Sequence, residues 1–386
     1  MHNMLIQQNT RKWTDRDAKR QSEFEAEMPT TMNAVLLLGH GGFEQLVYRS
    51  GVQIPAPGPD EVLLQVRAAG VNNTDVNMRV GWYSKSVTGG TENGGASGPL
   101  SVPAQDTGWT GDTVAFPLIQ GADVCGVVIE AGSKVPASRM GERVLVDPVL
   151  RNRPVPGGSK TLYLGSDCNG GFAEYVCVPA INAYAVASAL DDLALASFPC
   201  SYSAAENMLT RAGVRAGETV LVTGASGGVG SAAVQLAKRR GATVIALAAG
   251  TKAAQVERLG ASRVLPRDAD LPAALGRESV DVVIDVVGGP RFGGLIDILC
   301  AGGRYAVAGA IAGPVVSLDL RTLYLKDLRL LGCTVPEPEV FPNLVGYIER
   351  REIEAVVART YPLREIAEAQ RDFLSKRHTG KIVLQP

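Results

Sequence analysis

The stretch from Val220 to Ala242, VLVTGASGGVGSAAVQLAKRRGA, sets an apolar run against glycines at 224, 227, 228 and 230 and then against a helix-forming run. Strand, glycine turn and helix in that order gather backbone N–H groups and the positive end of the helix around one point, which is a seat for phosphate. Gly227, Gly228 and Gly230 allow backbone and ligand to approach where a Cβ would collide, and Gly230 also allows close helix–sheet packing. Ser226 and Val229 complete the loop. The spacing GxxGGVG is less specific than GxGxxG, so its weight comes from its place at the first strand–helix junction of a longer series.

That series sets the fold class. From about Leu190 short apolar runs alternate with helical ones: TVLVTG, SAAVQLAKRRG, TVIALAA, KAAQVERLG, SRVLP, PAALGRE, VDVVIDVVG, FGGLIDILCAGG and RYAVAGA. Such alternation means βαβ units and a parallel sheet covered on both faces. Upstream, from Met32, the runs NAVLLL, EQLVYRS, EVLLQVRAAGV, CGVVIEAG and ERVLVDPV are separated by Gly, Pro and Asp turns, which suits antiparallel strands of a barrel-like domain. The expected fold is α/β: an antiparallel β-barrel catalytic domain with a doubly wound parallel-sheet, dinucleotide-binding domain of Rossmann type. The expected limits are a mobile polar arm at 1–31, the barrel domain at 32–189, the dinucleotide domain at 190–334 and a return to the first domain at 335–386. The segment 85–113 is a Gly-rich insertion without periodicity, read as a lid or a floppy loop.

Composition narrows the partners. A formal charge of −1 with no basic block argues against nucleic acid and anionic membranes. No apolar run approaches the length of a membrane span. Six dispersed cysteines without a CxxC pair suit small core residues in a reducing, cytoplasmic setting.

The dinucleotide is read from the end of the second parallel strand, where NAD sites usually carry an acid for the ribose hydroxyls. Gly241 to Val256 contains none. Gly250, Thr251 and Lys252 instead offer open backbone, a hydroxyl and a cation, and Arg267 at the end of the third strand adds a second charge, so the 2′-phosphate of NADPH is favoured. Lys252 and Arg267 also read as ordinary solvated residues. Further along, Val286 and Val287 end one strand, and Ala308 and Gly309 end the next, at the carboxyl edge where an open parallel sheet holds its ligand. Val287, Ala308 and Gly309 are therefore cofactor candidates, or else simply core.

Taken together and in order, AAGVNNTDVNMRVGWY, GADVCGVVIEAG, GERVLV, GGFAEYVCVPA, TGASGGVGSAAVQLAKRRGA and the closing GKIVL resemble the medium-chain dehydrogenases/reductases, in their zinc-independent quinone oxidoreductase branch. The resemblance covers about Met32 to the C-terminus. It implies a GroES-like catalytic domain, an inserted Rossmann domain, a cleft between them and a homodimer built through the Rossmann sheets. Zinc-dependent members place a Cys, a His and a Cys where this chain has Asn72, Ala122 and Cys200. One thiol cannot supply the three protein ligands of a catalytic zinc, and the segment from Asp147 to Gly171 holds only Cys168, so no metal is expected.

Without a Lewis acid, a reductase works best on electrophiles that spread the incoming charge themselves, namely quinones and α,β-unsaturated carbonyls. The resemblance carries the nicotinamide-lining positions of its zinc-free members onto Asn72, Asp75, Arg79 and Tyr83. Asn72 is read as bonding the nicotinamide amide or the substrate oxygen, Tyr83 as touching substrate or delivering a proton, and Asp75 as catalytic or a loop brace. Asn77 replaces the tyrosine found at the middle of that pattern, and Cys200 is read as inert packing near the nicotinamide. A zinc-free alcohol or aldehyde oxidoreductase and a non-catalytic NADPH-binding protein stay open as alternatives.

Overall fold

The computed structural model describes residues 29–91, 106–155 and 158–386. The polar arm therefore lies outside the described residues except for its last three, and so do residues 92–105 of the Gly-rich insertion.

The parallel sheet is the better defined half of the fold. Its strands run in the order Arg263–Pro266, Thr243–Ala248, Thr219–Val222, Val280–Asp285, Leu299–Val307, Arg329–Gly332, each parallel to its neighbours. Chain order reverses between Thr219–Val222 and Val280–Asp285, which opens a crevice at their carboxyl ends. Side chains alternate between two cores. Val220 and Val222 face one, with Val244, Ile284 and the helix Gly228–Arg239; Leu221 faces the other, with Ile245, Val283 and Phe292. Both faces are thus buried, which is why these strands read as continuous apolar runs. The sixth strand, RLLG, was too short and too near a charged stretch to stand out in the sequence.

The other lobe is built on the strand Glu61–Gly70, which pairs antiparallel with Asp123–Ala131, with Tyr175–Pro179 and with the last strand, Lys381–Gln385. The single exception to antiparallel pairing in this sheet is Val357–Pro362, which lies parallel to the last strand. After the sixth parallel strand the chain does not return at once to this lobe. The helix Val340–Glu349 first buries Val340, Phe341 and Leu344 in the core shared with the helix Pro199–Arg211.

The last strand fixes how the two lobes meet. Gly380 N–H donates to Ser226 O at 2.8 Å, so the chain entering this strand is bonded directly to the glycine turn. Lys381 then crosses the start of the helix Gly228–Arg239, where a Cβ on Gly228 would stand 2.9 Å from the Lys381 side chain and 2.6 Å from Ser201 Oγ. Its ammonium donates to Val71 O (2.9 Å), Asn72 Oδ1 (2.5 Å) and Asp123 Oδ2 (2.7 Å). Both ends of the Lys381–Asp123 pair are almost completely buried.

Removing one member of such a pair leaves an uncompensated buried charge, which costs about 3–5 kcal/mol. Lys381→Met is expected to lower the unfolding free energy by that amount, and with it the denaturation midpoint, and adding Asp123→Asn in the same chain to recover part of it. An unchanged midpoint in the single variant contradicts this arrangement.

Candidate active site

The crevice between the lobes has a volume of about 990 Å³. Its floor is the glycine turn. Gly224 turns the chain with φ at +56°, and a Cβ on Gly230 would stand 2.2 Å from Gly224 O, so the helix can start only where it does with glycine there. No side chain caps that helix at Gly227, which leaves its first N–H groups for a ligand. Ser226, Gly227, Gly228, Val229 and Gly230 all line the crevice, as do Lys252, Arg267, Val287, Ala308 and Gly309. The residues present therefore fit a dinucleotide. Thr251 is not brought to it: the single turn Gly250–Lys252 leaves its side chain exposed outside the lining.

Charge collects at the end of the crevice near Ser226. Lys252 Nζ lies 3.5 Å from Ser226 Oγ, and it donates to the backbone carbonyls of Lys376 at 2.6 Å and His378 at 2.7 Å. Burial, then the nearby Arg267 charge, lowers the pKa of Lys252. Burial brings His378 down to about 4, helped by Lys376 and Lys252, so it is neutral at pH 7. Arg267, Lys376 and His378 also line this end, together with Asp268, an acid next to Arg267 that the reading of Gly241 to Val256 did not reach. The second acidic lining residue, Asp285, is already bonded to the Thr223 hydroxyl, the Val287 N–H and the Tyr305 hydroxyl.

The helix Asn73–Val80 supplies the middle of the site. Asp75 does not line the crevice; it is buried beneath, accepts from Asn72 N–H at 2.7 Å, and is pushed up to about 7 by burial. It braces the helix start. Asn72 lines the crevice, but its amide is bonded on all sides within the protein. Nδ2 donates to Gly70 O and Asp123 Oδ2, and Oδ1 accepts from Lys381. Its evident work is to hold Lys381 and Asp123. Arg79 is buried away from the crevice, donating to Gln370 Oε1 and Gly41 O and lying 4.4 Å over the Phe43 ring.

Aromatic groups close the other end. The Tyr83 hydroxyl is 3.0 Å from Thr74 Oγ1, and burial raises its pKa, so the phenol keeps its proton at neutral pH. Tyr163, at the end of the hairpin Val149–Val155/Gly158–Tyr163, donates to Cys200 Sγ at 3.0 Å. Burial, then the Asp123 carboxylate, pushes the Cys200 thiol up to about 12, which makes it an inert acceptor. Neither Tyr163 nor Asp123 nor Lys381 was singled out by the sequence, because each becomes part of the site only through long-range pairing.

The positions where the resemblance would put zinc ligands hold an amide already bonded within the protein (Asn72), a side chain without a donor (Ala122) and a single thiol (Cys200), with the Lys381 ammonium alongside. This donor set does not suit zinc. Among the described residues no three His, Cys, Asp or Glu side chains converge on a metal-sized point. No helix among them is long and apolar enough to cross a membrane.

Comparison with known proteins agrees with the geometry. Residues 58–188 match the alcohol dehydrogenase GroES-like domain and residues 228–350 the zinc-binding dehydrogenase family. Quinone oxidoreductase of Rattus norvegicus is 28% identical over 367 residues, covering 92% of this chain and 97% of that protein. Acryloyl-coenzyme A reductase of Metallosphaera sedula is 29% identical over 364 residues, covering 92% and 99%. Among solved structures, a Sinorhizobium meliloti 1021 protein provisionally described as an alcohol dehydrogenase superposes with a TM-score of 0.84 at 46% identity, covering 95% of this chain and 99% of that one. The chain belongs to the medium-chain dehydrogenase/reductase superfamily, in its quinone oxidoreductase-like branch, and is an oxidoreductase of the nicotinamide-dinucleotide-binding kind.

Proposed function

We propose that this chain is an NADPH-dependent reductase of quinones or α,β-unsaturated carbonyls that works without a metal. The observation that carries the cofactor reading is the group of cationic side chains, Lys252, Arg267 and Lys376, at the Ser226 end of the crevice, where no acid takes the ribose hydroxyls at the end of the second parallel strand. When bound, NADPH supplies the hydride. The chain's own part is to hold the dinucleotide on the N–H groups at Gly228 and Val229, to keep water out with Tyr83, Tyr163 and Trp109, and to hold a proton at the Tyr83 hydroxyl for the anion formed on the substrate. The donor set around Asn72, Ala122 and Cys200 supports the metal-free reading, and it points to acceptors that delocalise charge themselves.

A second reading, a zinc-free alcohol or aldehyde oxidoreductase, draws support from the description of the Sinorhizobium meliloti relative. We also infer a homodimer. The strand Arg329–Gly332 is a free edge of the parallel sheet, and beside it Leu320, Tyr324 and Leu325 are 64%, 62% and 72% exposed. Six unpaired cysteines suit a reducing, cytoplasmic setting.

An NADPH-oxidation screen over quinones, enals, enones and saturated aldehydes, with and without a chelator, separates these readings. Turnover of the conjugated acceptors, insensitive to chelation, is expected; turnover of saturated aldehydes alone favours the second reading, and tight NADPH binding without any turnover favours a binding protein. Lys252→Ala with Arg267→Ala is expected to raise KM for NADPH by about ten- to a hundredfold, the worth of a charge-assisted hydrogen bond, while sparing NADH. An equal effect on both cofactors refutes the 2′-phosphate assignment. In sedimentation equilibrium the native chain is expected as a dimer and Leu325→Glu with Tyr324→Ser as a monomer; two dimers would contradict the edge-strand interface.

A further inference from the structure

Trp109 comes from the far limb of the Gly-rich insertion and stacks on Tyr163, with ring centroids 4.7 Å apart and planes inclined by 29°. Both rings line the crevice. They pack with Ala122, Val149, Cys200 and Val335. Tyr83, on the facing wall, packs with Met78, Val114 and Leu118. The Tyr163 hydroxyl donates to Cys200, so that side chain spends its polar atom on the protein, and the Tyr83 hydroxyl lies 3.0 Å from Thr74 Oγ1.

The limb that carries Trp109 is held in place. Gly108 N–H donates to Asp112 O at 2.8 Å, Thr110 Oγ1 to Asp167 Oδ1 at 3.1 Å, and Lys160 Nζ to Asp112 Oδ2 at 2.7 Å. The Lys85 N–H donates to Asp106 Oδ2 at 2.9 Å and joins the two limbs of the insertion. Lys160 and Asp112, paired with each other, are charges at this limb, and neither lines the crevice. Of the cations that line the crevice, Lys252, Arg267 and Lys376 belong to the Ser226 end, Arg291 donates to Ala269 O, and Lys381 is bonded to Val71, Asn72 and Asp123.

We propose that the Trp109–Tyr163 pair is the docking plate for substrate, and that it selects a planar, uncharged ring, a quinone or an aryl enone, over a small aliphatic enal or a phosphate-bearing thioester. Offset stacking on a fixed ring pair rewards a flat π-system. A nucleotide-bearing acyl group, by contrast, needs cations for its phosphates, and this wall offers none. The inference rests on the reductase reading above and narrows its substrate.

The test compares native protein, Trp109→Phe and Trp109→Ala, with folding checked by circular dichroism. The ratio of kcat/KM for 1,4-naphthoquinone to that for acrolein is expected to fall about three- to tenfold in Trp109→Ala, the worth of a ring pair, and to stay near the native value in Trp109→Phe. Calorimetric titration of 2-naphthol into the NADP-loaded protein reads the same plate without chemistry: binding is expected in the native and Trp109→Phe proteins and weakened in Trp109→Ala. An unchanged ratio, or 2-naphthol binding that is indifferent to Trp109, overturns the proposal. Absence of NADPH oxidation with every acceptor defeats the reductase reading, while the 2-naphthol titration still decides whether the plate holds a ring.

Discussion

A single buried ammonium organises this molecule. Lys381 is the first residue of the last strand, and its three donors are taken by Val71 O, Asn72 Oδ1 and Asp123 Oδ2, groups that belong to the loop, the helix start and the first residue of the strand Asp123–Ala131. An ion removed from water on this scale is tolerable only when it is paired and its hydrogen bonds are filled. That requirement draws the last strand into the antiparallel sheet, and Gly380, one residue earlier, is bonded to the glycine turn of the other lobe. The crevice exists because both attachments fall on neighbouring residues. The same ammonium explains why Asn72 is bonded within the protein, and why Asp123 can stay buried with its charge paired.

From that anchor the crevice divides into two chemically distinct ends. Around Ser226 stand open helix N–H groups and several cations, which suits a phosphorylated dinucleotide. Around Tyr83, Tyr163 and Trp109 stand aromatic surfaces, raised phenol pKa values and an inert thiol. On the proposed reading, one end grips by charge and the other selects by shape and supplies at most a proton. Lys252 is where the first description becomes less simple, since part of its hydrogen-bonding capacity goes to the carbonyls of Lys376 and His378. The segment that leads into the last strand is thereby tied to the cofactor end as well.

What the sequence disclosed follows from the range of the interactions involved. The glycine turn, the parallel strands and the crevice residues that flank them are local patterns: a run of apolar residues, a glycine where a Cβ would strike Gly224 O, a helix directly after. They are legible in one stretch of chain. Asn72 and Asp75 were legible as positions but not in detail, because the partners that occupy Asn72 lie 51 and 309 residues away in the chain. Tyr163 and Trp109 meet only after a hairpin and a long insertion fold against each other, and nothing near either residue announces it. Thr251 adjoins Lys252 in the chain, yet its side chain is exposed and is not among the residues that line the crevice.

The central claim is that a protein-borne cation, Lys381, takes the place beside Asp123 and Asn72 while a phosphorylated dinucleotide occupies the crevice. A crystal structure grown with NADPH and zinc, with anomalous data collected at the zinc edge, tests it most directly. The expected map has the Lys381 ammonium still bonded to Asp123, no anomalous peak near Asn72 or Cys200, and the 2′-phosphate within hydrogen-bond distance of Lys252 or Arg267. An ordered zinc peak there with Lys381 displaced, or a dinucleotide whose 2′-phosphate points into solvent, would contradict it.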